Sequence, residues 1–144
     1  MSFVDPRYAK SEAYAQDLAE IQAANICPFC PDGFKWHPNP VLARDGDWFV
    51  TASGQKYDNA ERHLLIIGDV HKEELWDLTN ADMHSILELA KVVTDDETPG
   101  GLLAFRFGDT KYTGATVKHL HVHIIVPQID PKTKLARPVM FPVG

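Results

Sequence analysis

Three histidines in one alternating run constrain this chain more than any other feature. His119, His121 and His123 alternate with Leu120, Val122 and Ile124 within residues 114–127. Successive side chains of a strand point to opposite faces, so a strand here puts three imidazoles on one side and three aliphatics on the other. A helix, turning ~100° per residue, would scatter the same side chains over every face. The β-branched content and Pro127 at the end also favour a strand. One face of this strand belongs to a core and the other to chemistry. Three readings fit that second face: a solvated surface, a metal cluster, since neutral imidazole is the commonest metal ligand, or nucleophilic catalysis by one ring held by its neighbours.

A second pattern lies upstream. Cys27-Pro-Phe-Cys30 is followed by Pro31-Asp32-Gly33, which reads as a turn. Two thiols two residues apart in a turn make half of a tetrahedral zinc site. A redox pair would want a strand before the motif and a helix starting at it, and unliganded thiols are the third alternative.

The rest of the chain supplies a frame for these two patterns. Tyr14, Leu18 and Ile21 recur at helical spacing, which predicts a helix over residues 7–24 that covers a sheet edge or builds a dimer contact. Residues 41–43 and 47–52 read as strands joined at Asp45-Gly46, a strong hairpin signal. The apolar run 63–68 reads as a buried central strand. Thr79 and Asp82 form an acidic capping box for a helix with Met83, Ile86, Leu87, Ala90 and Val93 on one face, ended by residues 95–101. Residues 102–107 read as a strand, and 128–144 as an irregular tail. Hairpin-joined strands with helices grouped apart imply an antiparallel α+β fold.

The chain has 144 residues, with 44% apolar and 24% charged, the size and balance of one globular domain. A net charge of −6 argues against a nucleic-acid partner held through a basic face. No apolar run reaches the ~20 residues that span a bilayer, and the first residues lack a signal-peptide layout. The expectation is a cytoplasmic protein with no membrane partner and reduced cysteines.

The run His119-Leu-His121-Val-His123-Ile-Ile resembles the signature of the histidine-triad (HIT) superfamily. Gly114 and Thr116 upstream, Cys27-Pro-Phe-Cys30, and Arg62-His63-Leu-Leu-Ile-Ile match further blocks of that family in its order. The resemblance covers residues 27–127 within a single domain 1–144. It implies a five-stranded antiparallel sheet with two packing helices, to which the N-terminal helix is an addition, and a homodimer. It also implies a nucleotide hydrolase or phosphorylase acting on a phosphoramidate or dinucleoside polyphosphate with an AMP-type purine nucleotide. His121 would attack the α-phosphorus to give a nucleotidyl-histidine, later taken by water or phosphate. His123 would donate to a non-bridging oxygen, Thr116 would contact the phosphate, and the backbone at Gly114 would lie against it. Zinc would be held by Cys27, Cys30, His63 and His119, the last being also the first member of the triad. His71 would be structural, and His37 and His84 would lie on the surface.

The sequence departs from the family at three places. Ala115 stands where many HIT hydrolases carry a Gln that holds the leaving group. The Asp that grips the ribose before the central strand has no clear match. Residues 57–63 more resemble the diadenosine-tetraphosphate phosphorylase branch, with Ser53 in place of its Asn. The uridylyltransferase branch ends its triad in Gln, whereas this chain keeps His123, so water or phosphate is the expected acceptor. Two other readings stand beside this one: a nucleotide- or zinc-binding module with little or no catalysis, and a metalloenzyme with all three triad histidines on one metal.

Overall fold

The computed structural model describes residues 2–96 and 98–144. Position 97 belongs to the stretch expected to end the second helix and lies outside the described residues. Strands β1 (Val41–Asp45), β2 (Trp48–Ala52), β3 (Ala60–Gly68), β4 (Leu102–Phe105) and β5 (His121–Pro127) form one sheet in the order β1-β2-β3-β5-β4. Every neighbouring pair is antiparallel. This is the α+β architecture read from the sequence. Helix α2 (Asn80–Val93) is capped by the reciprocal Thr79 and Asp82 bonds.

The sheet has two unlike faces because its strands keep the two-residue side-chain period. Trp48, Val50, Leu64, Ile66, Val122 and Ile124 point to α2, where they meet Ile86, Leu89 and Ala90 in the main core. The alternate residues Phe49, Leu65, Ile67, His121 and His123 point the other way. The register Leu65↔His123 and Ile67↔His121 sets the two histidines beside apolar neighbours on that face.

The N-terminal segment covers this second face. Its helix is shorter than expected: a 3-10 turn, Pro6–Tyr8, precedes α1 (Glu12–Ala24), which Ser11 caps. Val4 bridges Val117, and Asp5 N–H donates to Thr116 O at 2.8 Å. Leu18 and Ile21 of α1 pack with Val4 and Val117. The helix therefore lies against the segment leading into β5. A further turn, α3 (Thr110–Thr113), ends at Gly114, whose φ of 68° suits glycine. Gly33 is required for another reason: a Cβ there would sit 1.9 Å from Cys27 O, so only glycine lets the turn after the cysteines close on them.

Candidate functional site

The two cysteines meet two histidines. Cys27 Sγ lies 3.4 Å from His119 Nδ1, and Cys30 Sγ lies 3.5 Å from the same nitrogen and 3.6 Å from His71 Nδ1. The four ligand atoms all fall within 4.8 Å of one another. The ring tautomers suit a cation. His119 donates its Nε2–H to Gly68 O at 2.7 Å, and His71 donates its Nε2–H to Glu73 at 2.9 Å. Each Nδ1 lone pair is thereby turned to the thiols, the arrangement in which an outer partner fixes a ligating imidazole. Burial pushes the Cys27 thiol up to about 12, beyond what backbone N–H bonds from Phe29 and Cys30 offset. A cation is what would favour the thiolate there. Cys27, Cys30, His71 and His119 could thus bind a metal.

His63, expected in that set, is not part of it. It is buried, and its partners are elsewhere: Tyr57 N–H donates to His63 Nδ1 at 3.2 Å, and His63 Nε2 lies 2.8 Å from His123 Nδ1. The cause is the antiparallel register. His63 pairs with Ile125, past His123, whereas Ile67 pairs with His121. The chain leaving the far end of β3 is the part that passes near His119, and it carries His71. His71 therefore belongs with the metal set instead of having only a structural role. His37 is also not a plain surface residue: it is half-buried, stacks on Phe34 at 4.8 Å, and bonds Thr51 Oγ1 at 2.9 Å. His84 is exposed, as expected.

The triad rings serve three different partners, so they do not converge on one metal. His119 faces the cysteines. His121 donates its Nδ1–H to His119 O at 2.8 Å, which leaves Nε2 as the bare nitrogen. His123 is set by His63. A backbone N–H must donate, so His63 Nδ1 is an acceptor and its Nε2 carries the proton. That proton goes to His123 Nδ1, and the neutral His123 ring then carries its own proton on Nε2. Burial holds all three rings below the usual histidine range, His121 down to about 4, with the Arg106 guanidinium adding to the effect on His121. They are neutral at pH 7.

His121 and His123 line a cavity of about 290 Å³. Thr116, Gly114 and Ala115 form part of its wall, and Thr116 Oγ1 is bonded to Tyr14 OH at 2.9 Å. Tyr8, Leu18, Ile21, Phe29 and Trp36 make an apolar end. Phe29 meets His121 edge-on, with ring centroids 5.0 Å apart. Two cations also reach this space, Lys10 and Arg106. Neither lies in a sequence pattern that marks it as a site residue. Arg106 follows β4 on the histidine-bearing face, since Ala104 pairs with His123. The tail closes one side: Pro142 O accepts from Arg106 Nε at 3.0 Å, and Phe141 packs edge-on to His123 at 5.1 Å.

A five-stranded antiparallel sheet with alternating histidines facing a cavity defines a histidine-triad class of α+β protein. The HIT domain family model matches residues 49–129, and this chain belongs to the HIT family. The search among curated proteins finds no match. Among solved structures, a HIT family hydrolase from Legionella pneumophila Philadelphia 1 is 26% identical, with a TM-score of 0.56, covering 74% of this chain and 97% of that one. A zinc-bound histidine triad family protein from Mycobacterium smegmatis is 18% identical, with a TM-score of 0.56, covering 78% and 82%. A histidine triad nucleotide-binding protein from Candida albicans is 22% identical, with a TM-score of 0.56, covering 83% and 85%. Among the described residues, no helix is long and apolar enough to cross a membrane.

Proposed function

We propose that this protein is a nucleotide hydrolase or phosphorylase that works through a nucleotidyl-histidine on His121. The observation that carries the reading is the His121 ring itself: its Nδ1–H is engaged by His119 O, and it borders the cavity with the other nitrogen bare. A neutral imidazole held in one tautomer is a competent nucleophile at pH 7. His121 Nε2 attacks the α-phosphorus, and the bond to the leaving group breaks. Water or phosphate then takes the nucleotidyl group and frees the ring. The His123 Nε2–H donates to a non-bridging oxygen, where charge grows in the transition state. Thr116 and the backbone at Gly114 lie along the phosphate, and the apolar end of the cavity takes a purine base. The similarity to a HIT family hydrolase from Legionella and to a histidine triad nucleotide-binding protein from Candida supports this reading.

Zinc suits the cysteine–histidine set, because two thiolates and two imidazoles are its closed structural ligand group. When bound, it would clamp four protein ligands and leave no open position for water. The Mycobacterium relative, described as zinc-bound, supports the choice of metal. A reducing cytoplasm keeps both thiols free for it. The half-exposed Leu102 and Leu103 on the edge strand β4 suit a homodimer.

The test is His121→Asn. Release of AMP from an adenylated substrate should fall by about 10³-fold or more, with the melting temperature retained. Turnover that survives the substitution ends the enzyme reading. Absent turnover in the wild-type protein, with nucleotide binding retained, would leave a binding module.

A further inference from the structure

Arg106 and His123 meet in a way that leaves both short of an acceptor. Arg106 Nη1 lies 3.4 Å from His123 Nε2. The relay from Tyr57 N–H through His63 places a proton on that same Nε2. A guanidinium has only donors, so two N–H groups converge with no acceptor between them. The remaining Arg106 nitrogens are committed: Nε and Nη2 to Pro142 O, and Nη2 also to Tyr57 OH at 3.2 Å. Among the described residues, the polar contact of Nη1 is with His123 in the cavity wall.

Lys10 stands over the same Tyr57 ring, its Nζ 3.0 Å from the centroid. Desolvation, and then repulsion from the Arg106 guanidinium, lower the Lys10 pKa, with the Asp58 carboxylate opposing them in part. Neither side chain forms an ion pair among the described residues. Two like charges held about one phenol ring beside a cavity form a built receptor for negative charge. Ala115, nearby in the wall, has no side-chain donor to offer.

We propose that Arg106 and Lys10 form a second anion seat beside the α-phosphate position, so that the site takes substrates whose leaving group is itself a phosphate or phosphate chain. The proposal rests on the nucleotide reading above. In the transfer, the His121 Nε2–P bond forms and the bond from the α-phosphorus to the bridging oxygen breaks. The electron pair stays on that oxygen, so the departing phosphate gains one negative charge. Arg106 and Lys10 face that charge. A phosphoramidate gains nothing from them, because its amine takes up a proton and leaves uncharged.

Binding of AMP and ADP, measured by calorimetry on the full chain, tests the seat apart from catalysis. ADP should bind the wild-type protein about tenfold tighter than AMP, a preference worth ~1.4 kcal/mol. Arg106→Gln should cut that ratio below about threefold, with AMP affinity nearly unchanged, and Lys10→Gln should reduce it in part. Lys10 is exposed and its side chain donates no hydrogen bond among the described residues, so its variant remains informative if loss of the Pro142 bonds unfolds Arg106→Gln. Equal affinities in the wild type, or a ratio that survives both substitutions, overturn the proposal. So does an equal loss for AMP and ADP, which would assign Arg106 to the α-phosphate alone. Inorganic tripolyphosphate separates the two readings. A protein that binds it through Arg106 but binds neither nucleotide keeps the anion seat and loses the nucleotide function, and one that binds none of the three loses both.

Discussion

The His121 imidazole is held by the main chain of His119: its Nδ1–H donates to His119 O at 2.8 Å, while the His119 ring points away to the cysteines. One residue thus joins the candidate metal set with its side chain and holds His121 with its carbonyl. Any cation that fixes the first also fixes the second.

Metal binding should follow His71 and not His63. In His71→Ala, zinc content measured by atomic emission should fall well below one per chain, with a lower melting temperature. His63→Leu should keep its zinc, because His63 is bonded to Tyr57 N and His123 instead. Glu73→Gln, which weakens the partner of His71 Nε2, should cost about 10–100-fold in metal affinity. Zinc loss in His63→Leu with retention in His71→Ala would reverse the ligand assignment.

The contrast between these two histidines shows what the sequence could and could not disclose. The triad, both hairpin strands, the capping box at Thr79 and the face shared by Ile86 and Ala90 rest on local periodicity, and local periodicity survives folding. Which end of β3 lies near His119 depends on strand direction and register, which no local pattern encodes. His63 opens the apolar run and looks like the natural fourth ligand, yet antiparallel pairing sends it to the far side of His123. Arg106 was hidden for the same reason. It follows an unremarkable strand, and its meaning comes only from β4 pairing with β5. Lys10 falls within the helix expected over residues 7–24 but lies just before the start of α1, and it reaches the cavity because residues 3–5 dock beside 116–118.

The relay Tyr57 N–H to His63 to His123 predicts a split between two substitutions at position 63. Leu cannot donate to His123 Nδ1, so His123 is free to move its proton there and turn an acceptor toward the substrate. Removing a transition-state donor in this way should lower kcat by roughly 10²-fold, with KM little changed. His63→Gln offers an amide N–H for His123 and a carbonyl for Tyr57 N–H, and it should recover much of that loss. Equal activity for Leu and Gln would show that His63 does not orient His123.

Ile66 lies at the centre of the sheet's α2 face, fully buried among Trp48, Val50 and Leu89. Ile66→Ala removes buried methyl groups where neighbours on β2, β5 and α2 cannot all collapse inward. A loss of ~2–5 kcal/mol is expected, read as a lower urea midpoint with an unchanged slope. A loss under about 1 kcal/mol would mean that this side of the sheet is not the main core.

Asp82 ties α2 to the sheet and makes stability depend on acid. Its carboxylate accepts from Thr79 N–H at 2.7 Å and Trp48 Nε1–H at 2.9 Å, and it pairs with Lys72. Burial alone would raise its pKa, but the Lys72 ammonium and these donors outweigh burial and hold it at about 2, from an ordinary value of 3.8. The folded value is the lower one, so the unfolded chain takes up the proton first as pH falls. The stabilisation is complete above about pH 5 and is lost as pH drops through 4 toward 2. Asp82→Asn carries no such titration. Wild type should therefore be the more stable of the pair at pH 7, by about 1–2 kcal/mol, and the gap should shrink to roughly a third of that by about pH 2.5 in urea titrations of both proteins. A gap that is constant from pH 7 to 2.5 would show that the Asp82 charge contributes nothing to the folded state beyond its shape.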